Sequence, residues 1–118
     1  EQALTDDVEV FGHEHQKIAM YKNNIGAVWE SKGEFIKAAD YYKQALECAL
    51  RLFGKQHRDV ASYLNNLGML EFKKGNYNSA SITLKKSFRV LKQVLGPTHS
   101  FTRIVKKTLS DAKRASRH

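Results

Sequence analysis

The chain repeats itself at an interval of 42 residues, and this period limits its possible folds more than any other feature. Phe11-Gly12-His13-Glu14-His15 returns as Phe53-Gly54-Lys55-Gln56-His57, and again as Leu95-Gly96-Pro97-Thr98-His99. The same shift carries Asn23-Asn24-Ile25-Gly26 onto Asn65-Asn66-Leu67-Gly68, Gly33 onto Gly75, and Gln2-Ala3-Leu4 onto Gln44-Ala45-Leu46. A unit of this size buries its apolar face on its neighbour, so an array of them grows as a solenoid and presents an extended surface. Function is expected on that surface.

Within each unit the apolar spacing is helical. Ile18, Tyr21, Ile25 and Val28 advance by alternating steps of three and four, and Val60, Tyr63, Leu67 and Leu70 repeat those steps one period later. This predicts the first helix of each unit. Phe35, Ala38, Tyr42, Ala45, Ala49 and Leu52 form the stripe of a second helix, as do Tyr77, Ala80, Leu84, Ser87, Leu91 and Val94. Gly33 and Gly75 fall between the stripes, where a left-handed residue ends one helix and lets the chain reverse. Gly26 and Gly68 fall inside the first helices, where glycine costs about 1 kcal/mol relative to alanine. A cost that recurs implies a recurring benefit, here a close approach of two helices. The segments from Phe53 to His57 and from Leu95 to His99 connect hairpins, with Asp59 or Ser100 expected to satisfy free N–H groups of the following helix and Pro97 reinforcing the second break.

These signals divide one domain of 118 residues into four parts. Residues 1–10 align with 43–52 and are expected to be the end of a preceding repeat's second helix, so the chain is expected to derive from a longer array. Residues 16–53 form repeat 1, residues 58–95 repeat 2, and residues 100–115 a C-terminal capping helix. That last helix keeps Thr102, Val105, Leu109 and Ala112 at the core steps, but Arg117 stands where Gly33 and Gly75 stood.

The residues Asn-Asn-Ile/Leu-Gly, then Gly33-Glu34-Phe35 with Ala38, Tyr42 and Ala45, resemble the tetratricopeptide repeat. Its small and aromatic positions fall on Gly26, Trp29, Phe35, Ala38, Tyr42 and Ala45, and in the second copy on Gly68, Tyr77, Ala80, Leu84 and Ser87. The 42-residue period and the Phe/Leu-Gly-x-x-His connector are similar to the kinesin-light-chain-like subclass. The second copy departs from the pattern in having Glu71 in place of Trp29, with Phe72 displaced by one, and Leu84 in place of Tyr42. The resemblance implies an all-α, right-handed α-α solenoid of helical hairpins that binds a peptide segment of a partner protein in its concave groove. It also implies that first helices line the groove, with Asn24 and Asn66 contacting the peptide, and Asn23 and Asn65 as weaker candidates. Met20, Ala27, Ser31, Met69, Phe72 and Lys73 would face the same groove, continued by Lys107 and Asp111. An amide both donates and accepts, so a row of asparagines suits an extended peptide backbone. The alternative is that these amides satisfy helix ends or loops in the neighbouring repeat. Methionine adds adaptable apolar contact, and a lysine can pair a ligand carboxylate.

Other chemistry is less well supported. His15, His57 and His99 recur with the connector, whereas a zinc site needs ligands converging at about 2.0 Å, and helix layers stand about 8–10 Å apart. A structural role in the connector is expected, with no metal or cofactor; His13 and His118 stand outside that recurrence. Cys48, beside the Ala45 and Ala49 stripe, and Trp29, at the repeat's aromatic position, are expected to pack. There is no glycine-rich phosphate loop, no His-Glu-x-x-His helix and no nucleophile on a strand, so the chain reads as a non-enzymatic interaction module.

The formal charge is +8, and Arg103, Lys106, Lys107, Lys113, Arg114 and Arg117 face only Asp111 in the last helix. Such a surplus attracts nucleic acid, acidic peptides or anionic lipid, or keeps a terminal face solvated. Nucleic-acid binding through this face is one alternative function. Structural self-association is another, with a homodimer through the open N-terminal repeat face. No stretch reaches the roughly 20 apolar residues of a membrane span, and the acidic start lacks the order of a signal peptide, so no membrane partner is expected and the cytoplasm is the default compartment.

Overall fold

The computed structural model describes the backbone of residues 2–117 and the side chains of residues 15–117. Five helices follow one another: α1 (Gln2–Ser31), α2 (Phe35–Phe53), α3 (Arg58–Lys73), α4 (Tyr77–Val94) and α5 (Ser100–Ser116). The reversals within hairpins are set by Gly33 and Gly75, at φ 78° and 83°. With these residues left-handed, Glu34 N–H reaches back to Trp29 O and Asn76 N–H to Glu71 O, each at 2.9 Å. Those bonds satisfy carbonyls that a helix end otherwise leaves free. Hairpins α1–α2 and α3–α4 result, and α5 closes the stack. Packing runs between consecutive helices, with a minor α3–α5 contact, which is the quasi-one-dimensional order of an all-α solenoid. The body measures 59 × 33 × 18 Å.

The core consists of small clusters between layers. Ala19, Ala45, Ala49, Val60 and Tyr63 form one, and Ala38, Ala39, Tyr42, Leu67 and Leu70 another, with Trp29 packed against its edge. Ala61, Val90, Leu91 and Val105 join α3, α4 and α5, as do Ala80, Leu84, Leu109 and Ala112 between α4 and α5. Ser87, fully buried, donates to Ala61 O at 2.7 Å and thereby ties α4 to α3. Cys48 is half buried, and its Sγ donates to His15 O at 3.3 Å.

The internal glycines are sites of close approach, as their recurrence implies. A Cβ on Gly26 would stand 2.7 Å from the Tyr42 ring, and one on Gly68 would stand 2.6 Å from Leu84 Cγ. The helices of each hairpin therefore touch backbone to side chain. The stripes of α3 and α5 are buried throughout: Val60, Tyr63, Leu67 and Leu70, then Thr102, Val105, Leu109 and Ala112.

Three expectations are corrected. The first concerns the expected break between residues 10 and 16. Gln2–Ser31 is a single helix that passes through Gly12 and His15. A chain reversal is stabilised when the next helix can lie on a hairpin already formed, as α3 lies on α1–α2. At Gly12 to His15 the backbone instead continues the helix. The side chains of residues 1–14, and with them the expected core match of Gln2-Ala3-Leu4 and the role of His13, lie outside the described residues, as does His118.

The second correction concerns α1. Ile18, Tyr21 and Val28 are 45%, 68% and 52% exposed, although Val60, Tyr63 and Leu70 at equivalent positions are buried against α2. No described element lies against this side of α1; its buried residues, Ala19 and Gly26, face α2 instead.

The third correction concerns the caps. Asp59 and Ser100 were expected to accept the free N–H groups, but His57 Nδ1 accepts from Asp59 N–H at 3.0 Å and His99 Nδ1 from Phe101 N–H at 3.1 Å. The His57 ring also stacks on Phe53, with centroids 3.8 Å apart, whereas Leu95 takes the Phe53 position beside His99. Asp59 instead accepts from Gln16 Nε2. We expect His57→Ala to lower stability by about 1 kcal/mol in urea denaturation, and His57→Asn to recover most of the loss, because asparagine supplies an equivalent acceptor.

Candidate protein-binding groove

Helices α1 and α3 are the first helices of their hairpins and meet through polar side chains. Three contacts cross between them: Gln16 Nε2 to Asp59 Oδ2 at 3.2 Å, Asn66 Nδ2 to Asn23 Oδ1 at 2.7 Å, and an ion pair between Lys73 Nζ and Glu30 Oε2. Gln16, Asn23 and Glu30 are seven residues apart, as are their partners, so each set is spaced by nearly two helical turns. The contacts therefore form rungs along one seam. Their registry explains why these positions are polar: directional bonds join the two first helices, while the apolar stripe of α3 is committed to α2.

Glu30 is the most constrained member. Its side chain is 15% exposed; one oxygen takes the Lys73 ammonium and the other accepts from the Tyr42 hydroxyl at 2.8 Å. This links α1, α2 and α3 at a single carboxylate. Burial, then the bond to Glu30 and its charge, hold the Tyr42 hydroxyl far above its ordinary pKa. Tyr63 is pushed up to about 12, chiefly by burial, with Asp59 and Cys48 adding to the effect.

The sequence candidates are distributed unequally around this seam. Asn66 and Asn23 come together and bond each other, while the pairing suggested by repeat alignment joins Asn66 to Asn24. Asn24 is exposed and Asn65 half buried, and neither side chain makes a hydrogen bond among the described residues. Met20 is 50% exposed; Ala27 and Ser31 are also exposed, and Met69 is half buried. Lys73 joins the seam through Glu30. Phe72 was expected in the groove, but it packs against the cluster containing Leu84 and Leu109 and meets Tyr77 edge-on at 5.2 Å. Its one-residue displacement from the Trp29 position turns it onto the second hairpin. Lys107 and Asp111 line a separate open depression on α5 with Arg103, Lys106 and Arg114.

Glu30 and Gln16 are the seam residues that sequence reading missed. Their signal was a seven-residue spacing in phase with Asn23, visible only once the neighbouring helix is known.

The tetratricopeptide-repeat family model matches residues 17–93. The chain belongs to this family. No curated protein gives a significant sequence match. Among solved structures, the tetratricopeptide-repeat chain is similar to the crystal structure of BtubC (BKLC) from P. vanneervenii, with a TM-score of 0.70 and 24% sequence identity. That match covers 98% of this chain and 52% of the other, so the chain spans about half the length of the structure it resembles. Tetratricopeptide repeats generally mediate protein–protein interaction. Among the described residues no helix is long and apolar enough to cross a membrane.

Proposed function

We propose that the chain binds an extended or helical segment of a partner protein along the α1–α3 seam. The observation that carries this reading is the Asn23–Asn66 rung flanked by exposed Asn24, Met20 and Ala27. The rung uses one acceptor and one donor, which leaves the Asn23 amide N–H groups and the Asn66 carbonyl available to a peptide backbone. Asn24 contributes a complete amide beside them. The 42-residue period and the Phe/Leu-Gly-x-x-His connector support placement in the kinesin-light-chain-like subclass.

The basic α5 face offers phosphate contacts but no stacking platform. Phe101, its one aromatic residue, packs against the Ala61 and Val105 cluster. Protein recognition is therefore the reading we adopt.

Cross-linking pull-down with the full chain identifies the bound segment, and calorimetry with that segment tests the seam. Asn24→Ala with Asn66→Ala is expected to weaken binding about tenfold, the loss of one to two net hydrogen bonds, while changing stability by less than about 1 kcal/mol. Unchanged affinity for a verified segment would place the ligand elsewhere.

A further inference from the structure

A second groove lies between the two second helices. Leu46 and Leu50 of α2 line one wall, and Lys86, Arg89 and Val90 of α4 the other. Val60 and Leu64 of α3, which packs against both helices, lie between them, and Lys55 of the connector borders one end. Its volume of about 440 Å³ is far above the voids that close packing leaves between helices. This is a different face from the α1–α3 seam: at about 100° per residue, Val60 and Leu64 are turned roughly 100–160° around α3 from Asp59 and Asn66.

The repeat itself requires neither the apolar nor the charged character of this groove. Leu50 is 37% exposed, and one period later its place is taken by Lys92, as that of Leu64 is by Lys106. The repeat therefore accepts a cation at either position. On the opposite wall Lys86 and Arg89 stand where α2 has Gln44 and Glu47. No carboxylate lines the groove, and none of Lys55, Lys86 and Arg89 is in an ion pair with a described residue. An occupant has to cover leucine and also answer three cations. Because apolar surface beside a cation lowers the local dielectric, a carboxylate seated there is held more strongly than in open water.

The form of the occupant follows from the walls. They are helices whose backbone groups are already bonded, so an extended strand finds no edge to pair with. A helix satisfies its own backbone and presents apolar residues three and four apart, the spacing that meets Leu46 and Leu50, themselves four apart.

We propose that this groove binds an amphipathic helix of a partner protein, its apolar ridge on Leu46, Leu50 and Leu64 and its flanking Asp or Glu residues against Lys55, Lys86 and Arg89. The site is separate from the seam, and its occupation does not rest on peptide binding there.

A phage-displayed library of peptides of about 16 residues, roughly four helical turns, selected on the immobilised full chain supplies the probe. Synthetic copies of the selected peptides are then titrated by fluorescence anisotropy. Their sequences are expected to place apolar residues three and four apart with carboxylates beside them. Leu50→Lys and Arg89→Glu should each weaken binding at least about tenfold, and raising salt from about 0.05 to about 0.5 M should weaken it as well. Both replacements match the residue types at the equivalent positions, Lys92 and Glu47, and circular dichroism verifies that each variant remains folded. Asn24→Ala with Asn66→Ala should leave this binding within about twofold, which separates the groove from the seam. Selected peptides that are all indifferent to Leu50→Lys and Arg89→Glu overturn the proposal, as do peptides that respond only to the asparagine changes. Binders without carboxylates overturn it equally. So does binding of phosphatidylserine vesicles, but of no peptide, that is lost with Leu50→Lys, which would assign the groove to anionic lipid.

Discussion

Gly68→Ala should destabilise the protein by about 2 kcal/mol, lowering the melting temperature by roughly 10 °C. Helix propensity alone predicts the opposite sign, since alanine is about 1 kcal/mol better than glycine in a helix interior. Packing decides the outcome. The added Cβ would lie 2.6 Å from Leu84 Cγ and 2.7 Å from Cδ2, and Leu84 is fully buried with no open side to move into. The clash is with the branch point of a held side chain rather than with a flexible tip. Leu84→Ala alone is expected to cost about 2–5 kcal/mol through the cavity it leaves. On that background Gly68→Ala should become stabilising by up to about 1 kcal/mol, because the clash is gone and the propensity gain remains. Urea denaturation of the four chains in this cycle measures the reversal. A stabilising Gly68→Ala in the presence of Leu84 would show that α3 and α4 do not approach as closely as described. Gly26 offers a parallel case, with the Tyr42 ring at 2.7 Å and Ala38 O at 3.2 Å.

The hairpins were legible because their signals are local or strictly periodic. The glycine turns, the stripes of α3 and α5 and the close-approach glycines all follow from spacing within one unit. The α1 stripe shows where this reading stops. Ile18, Tyr21 and Val28 have the same periodicity as Val60, Tyr63 and Leu70, but periodicity reports an apolar face and not the presence of something to cover it. The Gly-x-x-His connector behaves similarly: it permits a break after α2 and α4, yet the helix runs through it at Gly12 and His15. In the groove, alignment pairs Asn24 with Asn66, whereas the contact joins Asn23 to Asn66. Equivalent residues occupy the same position on parallel first helices and are separated by the full interhelical distance. A side chain that bridges them must come from a neighbouring position around the helix, here one residue earlier. The repeat period is therefore not the contact period, and residues such as Gln16 and Glu30 emerge only from the packed helices.

Alkaline pH should expose the cost of the buried phenols. Tyr42 and Tyr63 are 2% and 4% exposed, and both hydroxyls titrate above their ordinary value of 10.0 in the folded protein. Below pH 10 both are neutral in the folded and unfolded chains and stability is fully retained. As pH rises past 10 the unfolded chain releases protons that the folded chain keeps, so the unfolded state gains stability. The loss for Tyr63 continues until its folded pKa of about 12 is reached; for Tyr42 it continues further. At pH 11 each tyrosine should therefore remove about 1.4 kcal/mol, or nearly 3 kcal/mol together. The measurement is urea denaturation at pH 8, 9, 10 and 11 for the natural chain and for Tyr63→Phe. Other groups titrate in the same range, so the informative quantity is the difference between the two chains. Phenylalanine keeps the ring in the Ala19, Ala49 and Val60 cluster and removes the ionisable group. The two curves should run in parallel from pH 8 to 9 and then converge by about 1.4 kcal/mol at pH 11, the natural chain losing more. Curves that remain parallel would mean that Tyr63 ionises as readily in the folded protein as in the unfolded chain. That result would contradict its burial between the two hairpins, the contact on which the α1–α3 seam depends.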